Sequence, residues 1–508
     1  MTLAPPRLDG PNRPPTTSPA LRGVRRDRRL DGIREKVDRG ERLTLEDGAL
    51  LLSTPDLWSV LEMADAVRRR LHGNAGYYNI NRHLNYSNVC ALSCKFCEFY
   101  AKKDDPKAYT RDTAYIREEV RKAVEGGATE MHSVGGLHPY LPWSYYPELV
   151  ATIRETARSM GSDLHVKAFT AVEIVHLARI AKVYKGANVP GEEGRRLRRE
   201  GIRWVLTELK KAGLGSLPGG GAEVFDDRVH DEAFKGKIRS DVWLDVHTIA
   251  HELGLNTNAT MLYGHVENPG DRLVHMDMLR RAQDQALARL GYRGVATPLN
   301  AGDRPSHLPS SRPSVPTDRS DHGDDDLATS EGGHLGYRGD EHAAPAITLT
   351  RPGTPLPEHV AFTHGDAVEH GYYQTIIPLP FIPDGSELEH LPGPGGLENL
   401  RTVAVCRLML DNVPHVKAFW IMQTLPMAQL MLQHGADDLD GTVVWYDITH
   451  VGGASTHQEV DVWTLRKAIR EAGFEPVERD TVYRRVRRDG NRWTPVSTAA
   501  TAPGTPSC

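Results

Sequence analysis

Cysteine is scarce, with five in 508 residues. Three of them, Cys90, Cys94 and Cys97, fall within eight residues, while Cys406 and Cys508 stand alone. An odd total with one tight cluster excludes a disulfide framework and points to a metal site in a reducing compartment. An excess of one charge is also missing. There are 62 Lys+Arg against 67 Asp+Glu, a formal net charge of −5, without the basic domain or stripe of a dedicated nucleic-acid binder. No apolar run approaches the roughly 18 residues of a membrane-spanning helix. The Pro- and Arg-rich start lacks the apolar core of a secretory signal. These absences predict a cytoplasmic protein with no nucleic-acid partner and no membrane span. With 39% hydrophobic residues, the chain can bury far more than one minimal core.

Proline clustering predicts a disordered tail over 1–28, and the Thr/Ser/Pro/Ala-rich end a second one over 495–508, which includes Cys508. Apolar spacing is helical from Leu30 to Leu71, with Thr44, Glu46 and Asp47 as a helix start, so 29–75 reads as an N-terminal helical extension. From 76 to 494, strand-like and helix-like stretches alternate. Strands are expected at Tyr78–Tyr86, Glu130–Val134, Leu164–Phe169, Ala222–Phe225, Leu255–Leu262, Gln374–Pro378, His415–Trp420 and Thr442–Tyr446. About eight βα units call for an α/β fold with a parallel sheet, a TIM-like (βα) barrel, closed or partly open. Two inserts interrupt it. Residues 185–201 are charged and extend a helix or bulge as a loop. Residues 291–370, dominated by Pro, Ser, Asp, Gly, Arg and His, are read as a disordered insert without chemistry.

The cysteine cluster is C-x3-C-x2-C, just after the first predicted strand, where barrel active sites gather. Three thiolates on a short loop suit one face of an iron–sulfur cube and leave one iron of a [4Fe–4S] cluster without a protein ligand. Structural zinc would need a fourth ligand, and His83 would have to supply it, because the chain has no second cysteine pair. A simple electron-transfer cluster is the other reading of the same thiols. Glycines at 135–136 and 219–221, and basic side chains near predicted strand ends, are the other chemical features. Three consecutive glycines are costly to order and suggest a loop that faces a ligand. Basic or donating groups clustered at one barrel mouth suit carboxylates.

The cluster, with Phe96 before its third cysteine, resembles that of the radical S-adenosylmethionine (SAM) superfamily. Further stretches narrow the resemblance to the enzymes of the futalosine route to menaquinone and the related deazaflavin synthases. They are His83-Leu84-Asn85-Tyr86, Val134 to Pro139, His165 to Phe169, Leu217 to Glu223 and Asn258 to His265. Ile377 to Phe381 and Leu439 to Val444 are similar to the aminofutalosine synthase branch, whereas His450 to Ala454 departs from the usual closing motif. The resemblance implies a barrel of the radical SAM type and a [4Fe–4S] cluster on Cys90, Cys94 and Cys97. SAM would lie against Phe96, Gly135, Gly136 and Glu223, and substrate against His138, His165, Lys167 and His265. It implies a transferase that consumes SAM as co-substrate, joining its adenosyl group to 3-[(1-carboxyvinyl)oxy]benzoate with rearrangement and decarboxylation to 6-amino-6-deoxyfutalosine. Reduced flavodoxin or ferredoxin is the implied electron donor. The alternative within the resemblance is a cyclic dehypoxanthine futalosine synthase or a deazaflavin (FO) synthase-type enzyme.

Overall fold

The computed structural model describes residues 26–290, 295–297, 346–348, 370–443 and 459–496. The predicted 1–28 tail, nearly all of the 291–370 insert, the 450–454 motif and Cys508 therefore lie outside the described residues, apart from short pieces. The strands are β1 (Ala75–Asn79), β2 (Asn81–Asn85), β3 (Glu130–Val134), β4 (His165–Ala168), β5 (Ser216–Leu217), β6 (Asn256–Tyr263), β7 (Val295–Thr297), β8 (Ala346–Thr348), β9 (Tyr373–Pro380), β10 (His415–Val416), β11 (Asp438–Gly441), β12 (Glu475–Glu478), β13 (Val486–Asp489) and β14 (Arg492–Pro495).

Seven of them form one parallel sheet in the order β10-β9-β6-β5-β4-β3-β2. The remaining gap is spanned by β11, which pairs in parallel with β1 and meets the β10 side through a Lys417–Asp438 bridge. Because β1 runs into β2, the hydrogen-bonding circuit returns to its start as a TIM-type barrel. The predicted strand 78–86 is thus two strands with a break at Ile80. Its first half serves the small β11-β1-β12 sheet and its second half serves β3. Helices Thr113–Glu125, Tyr145–Ser159, Ala171–Ile180, Gly191–Ala212, Ser240–Glu252, Pro269–Arg289 and Gly396–Met409 follow the strands. The amphipathic ones bury an apolar stripe, such as Ile202, Val205, Leu206 and Leu209 of Gly191–Ala212. Residues 191–201, taken from sequence as insert, are the first half of that helix. Its left-handed Gly213 closes it.

The N-terminal helices fit tightly to the barrel. Thr44 and Asp47 make a reciprocal cap at the start of Leu45–Ser53. A Cβ at Gly48 would lie 2.6 Å from Leu273 and 2.9 Å from the Met409 sulfur, so only glycine lets this helix approach. Buried Arg68 of helix Leu57–His72 donates to the carbonyls of Gly73, Ala75 and Ala436, and stacks 3.7 Å from the Phe474 ring centre.

Two differences from the sequence reading have local causes. The fourth strand is Ser216–Leu217, not Ala222–Phe225, because Glu223 has φ 46° and cannot continue a ladder. The segment 462–496 is not a continuation of βα alternation. It comprises helix Val462–Glu471, strand β12 and the antiparallel hairpin β13–β14 turned at Gly490-Asn491. No helix among the described residues is long and apolar enough to cross a membrane.

Candidate active site

A cavity of about 300 Å³ occupies the barrel interior beneath the loops that leave the C-terminal strand ends. Cys90, Cys94 and Cys97 line it, on the loop after β2. The loop is held from several sides. Cys90 N–H donates to Ala101 O (3.0 Å), Ala91 N–H to Leu137 O (2.9 Å) and Lys95 N–H to Ala233 O (3.0 Å). Leu137 N–H points at the Cys90 sulfur at 3.4 Å. Burial pushes the Cys94 thiol up to about 12 and raises Cys97 as well. A ligand that takes thiolates must therefore displace these protons.

The donor set itself discriminates between metals. Among the described residues, the trio of potential ligand atoms found within 4.8 Å of one another is His72, His415 and Asp437, not the three thiols. One zinc ion needs its ligands gathered around a single centre, whereas a cube of irons takes one thiolate per iron over a wider span. Cys406, the other described cysteine, is buried in helix Gly396–Met409 and does not line the cavity. The residues present fit a [4Fe–4S] cluster with one open iron.

Gly135 and Gly136 also line the cavity, and the reason for glycine there is specific. A Cβ on Gly136 would sit 2.4 Å from the Val89 carbonyl, and one on Gly135 2.7 Å from the Tyr86 ring. The strand end after β3 thus lies directly against the cysteine loop, and Gly136 N–H donates to Ser87 O at 2.8 Å. Glu173, on helix Ala171–Ile180 after β4, closes this corner. It caps that helix through Thr170, and it accepts from Gly135 N–H (3.0 Å) and Tyr86 O–H (2.8 Å). Burial pushes its carboxyl up to about 7. Glycines 219–221 line the opposite side, where a Cβ on Gly219 would meet the β6 backbone at 2.5 Å.

Glu223 and Phe96 line the cavity as well. Glu223 is ion-paired with Lys237, whose ammonium lies 4.8 Å from the Phe96 ring centre. Burial disfavours the Lys237 ammonium, yet Glu223 and the thiols of Cys94 and Cys97 together raise it above the ordinary lysine value. Lys167 lines the inner wall and pairs with buried Glu130 at 2.6 Å.

The three histidines expected beside Lys167 are employed elsewhere. His138 Nδ1 accepts from the backbone N–H groups of Tyr140 and Leu141, both at 3.1 Å, so it caps a turn. His165 Nε2 meets Ser216 Oγ at 2.9 Å. His265 meets the Leu262 carbonyl at 3.1 Å and lies 3.5 Å from Glu267. None of the three lines the cavity. His132, Glu173, Lys237, Lys417 and Asp440 do, and sequence reasoning had not singled them out. The period-2 placement of His132 on β3, in step with His83 and Lys167 on the neighbouring strands, was the available signal for one of them.

A parallel barrel with three thiols at its C-terminal mouth and glycine-walled strand ends defines a radical SAM enzyme, the class that works with a [4Fe–4S] cluster and SAM on small molecules and requires a reductant. Residues 84–279 match the radical SAM superfamily and residues 369–490 the CofH/MqnC C-terminal region. The chain is 34% identical to an aminodeoxyfutalosine synthase of Thermus thermophilus, over 92% of this chain and 98% of that protein. It is 36% identical to one of Streptomyces coelicolor, over 89% and 92%. An FO synthase of Nocardia farcinica is 29% identical over 87% of this chain but only 40% of its own length. Among solved structures, methylornithine synthase has the same fold, with a TM-score of 0.55 at 14% identity over 87% of this chain and 97% of its own. The chain belongs to the aminodeoxyfutalosine synthase family.

Proposed function

We propose that the enzyme joins the adenosyl group of SAM to 3-[(1-carboxyvinyl)oxy]benzoate, giving 6-amino-6-deoxyfutalosine. The observation that carries this reading is the near end-to-end match to aminodeoxyfutalosine synthases, set against the partial span of the FO synthase. Cys90, Cys94 and Cys97 would hold the cluster, and Phe96, Gly135, Gly136 and Glu223 would face SAM. When bound, cluster and SAM would supply a 5′-deoxyadenosyl radical able to add to the enol-ether double bond of such a substrate.

The protein's own work is placement and exclusion of water. Gly135 and Gly136 let the strand end after β3 pack directly against the cysteine loop, because a Cβ at either would overlap Tyr86 or Val89, and so fix the loop at the cavity wall. Leu92, Phe96, Leu262, Ile377, Leu379 and Phe381 give the cavity apolar walls in which a carbon radical meets only its partner alkene. Lys167 supplies a cation for a substrate carboxylate. Flavodoxin or ferredoxin would deliver the electron.

The test is anaerobic reconstitution followed by incubation with dithionite, SAM and the enolpyruvyl benzoate, with products read by mass spectrometry. The expected product is a decarboxylated adenosyl adduct. Free 5′-deoxyadenosine without adduct would move the substrate to that of the cyclic dehypoxanthine futalosine synthases or FO synthases.

A further inference from the structure

The interior of a TIM-type barrel is ordinarily filled by layers of branched aliphatic side chains. Here one layer is polar. His83, His132 and Lys167 are register partners on the adjacent strands β2, β3 and β4, and all three line the cavity. The facing wall brings Lys417, just past β10, and Asp440 of β11 to the same space.

The charges are arranged in depth. Glu130 and Asp438 are fully buried and are not part of the cavity wall, whereas Lys167 and Lys417 are. Lys167 Nζ lies 2.6 Å from Glu130, and Lys417 Nζ donates to Asp440 Oδ1 at 2.9 Å. Arg479, from the C-terminal segment, anchors the back of this array. Its Nε donates to Asp438 Oδ2 at 2.7 Å, and its Nη2 lies 3.9 Å from Asp440 Oδ1. Burial acts to raise the Glu130 carboxyl, but the cations Lys167, Lys417 and Arg479 outweigh it and hold it at about 2. Burial holds the His83 and His132 imidazoles neutral, His83 at about 4.

Buried ion pairs cost desolvation and are weak evidence of stability on their own. Two features distinguish this set from structural pairs. Each ammonium has three donors: Lys167 is matched with Glu130 behind the wall, and Lys417 with Asp440, which shares the wall, so each pair leaves donors for the cavity. His132 Nε2 is also buried at that wall without a hydrogen-bond partner. In addition, Asp440 is held at φ 72°, a strained left-handed backbone of the kind found disproportionately at functional sites.

We infer that Lys417, acting with Lys167 across the barrel, is the receptor for a substrate carboxylate, and that His132 adds a neutral donor to the same anion. This rests on the proposed function in taking an aromatic acid as substrate, and it adds the residue that selects for the anion. Two flanking ammoniums favour a planar carboxylate on a flat apolar body, for which Leu262, Ile377 and Leu379 provide contact.

The test uses the cluster-loaded, SAM-bound enzyme and isophthalate, an unreactive aromatic dicarboxylate, with benzamide as the uncharged counterpart. Calorimetry should show isophthalate bound by the wild type and weakened tenfold or more by Lys417→Met, with part of the loss restored in Lys417→Arg and benzamide unchanged. The double variant Lys417→Met/Asp440→Asn removes both charges together, so no carboxylate is left unpaired. It serves if the single variant unfolds, and it should lose isophthalate equally. No isophthalate binding to the wild type, equal affinity in the variants, or equal loss of isophthalate and benzamide would each overturn the inference. Turnover of the enol ether is read separately. Its failure with the isophthalate difference intact removes the proposed reaction and leaves the anion site standing.

Discussion

Gly136→Ala is the perturbation whose consequence follows most directly from geometry. The added methyl would lie 2.4 Å from the Val89 carbonyl oxygen, 2.8 Å from its carbon and 3.1 Å from the Asn88 carbonyl carbon. Ordinary contact begins at 3.4 Å, so the backbone just before Cys90 has to retreat by about 1 Å. It cannot do so freely, because the loop is tied by Gly136 N–H to Ser87 O and by Ala91 N–H to Leu137 O. Overpacking of this kind costs about 1–3 kcal/mol. A displacement of about 1 Å at a reacting centre costs on the order of a hundredfold in rate. We expect a lowered melting temperature and SAM cleavage reduced at least tenfold in protein purified anaerobically and reconstituted, with iron per chain measured alongside. The control is Gly32→Ala, on helix Asp31–Arg39, where a Cβ meets nothing within 4 Å. It should gain up to about 1 kcal/mol of stability and leave activity unchanged. A Gly136→Ala enzyme with wild-type melting and SAM cleavage within twofold would refute the reasoning.

Cys94→Ala should abolish both the brown cluster absorption and SAM cleavage; retention of either removes that thiol from the ligand set. Above the Glu173 titration at about 7, Glu173→Gln replaces a carboxylate that accepts from Gly135, Tyr86 and Thr170. It turns an amide N–H₂ toward donors, at a cost of about 1–3 kcal/mol, and unchanged thermal unfolding would contradict this network. Acid stability should fall early. Burial lowers His72, His247 and His275 to about 3, and His83 and His165 to about 4, while unfolded histidine titrates near ~6.5. The unfolded chain therefore binds more protons between these values. The stability is fully present above about 6.5 and is lost as pH falls through the window, by up to about 1.4 kcal/mol per pH unit for each histidine. Urea midpoints that are equal at about pH 7 and about pH 5 would sink this account.

Much of the fold was legible because barrel elements carry local signals. Glu130–Val134 was read with the right bounds, and the reciprocal cap at Thr44 is a four-residue pattern. The hairpin turn at Gly490-Asn491 carried a comparable signal that went unread. The fourth strand was misplaced because its two residues make too short a pattern to detect, while Ala222–Phe225 has the apolar look of a strand without its backbone.

Spacing pointed to an iron–sulfur cluster, and the resemblance carried by the same short motif supplied the chemistry class. Three thiols within eight residues, with an aromatic before the third, carry the cluster signal because the loop is local in sequence. What surrounds the cluster is not local. Lys167 and Lys417 are brought to one cavity only when the barrel closes, and the closing strand β11 carries Asp440 to Lys417 while the C-terminal Arg479 arrives behind both. His138, His165 and His265 show the converse. His138 and His265 follow the C-terminal ends of β3 and β6, whereas His165 begins β4 at the end away from the mouth; each meets a nearer hydrogen-bond partner and none lines the cavity. A residue's position along a strand is written in the local pattern. Its neighbours across the barrel depend on register, closure and competing partners, which exist only in the folded chain.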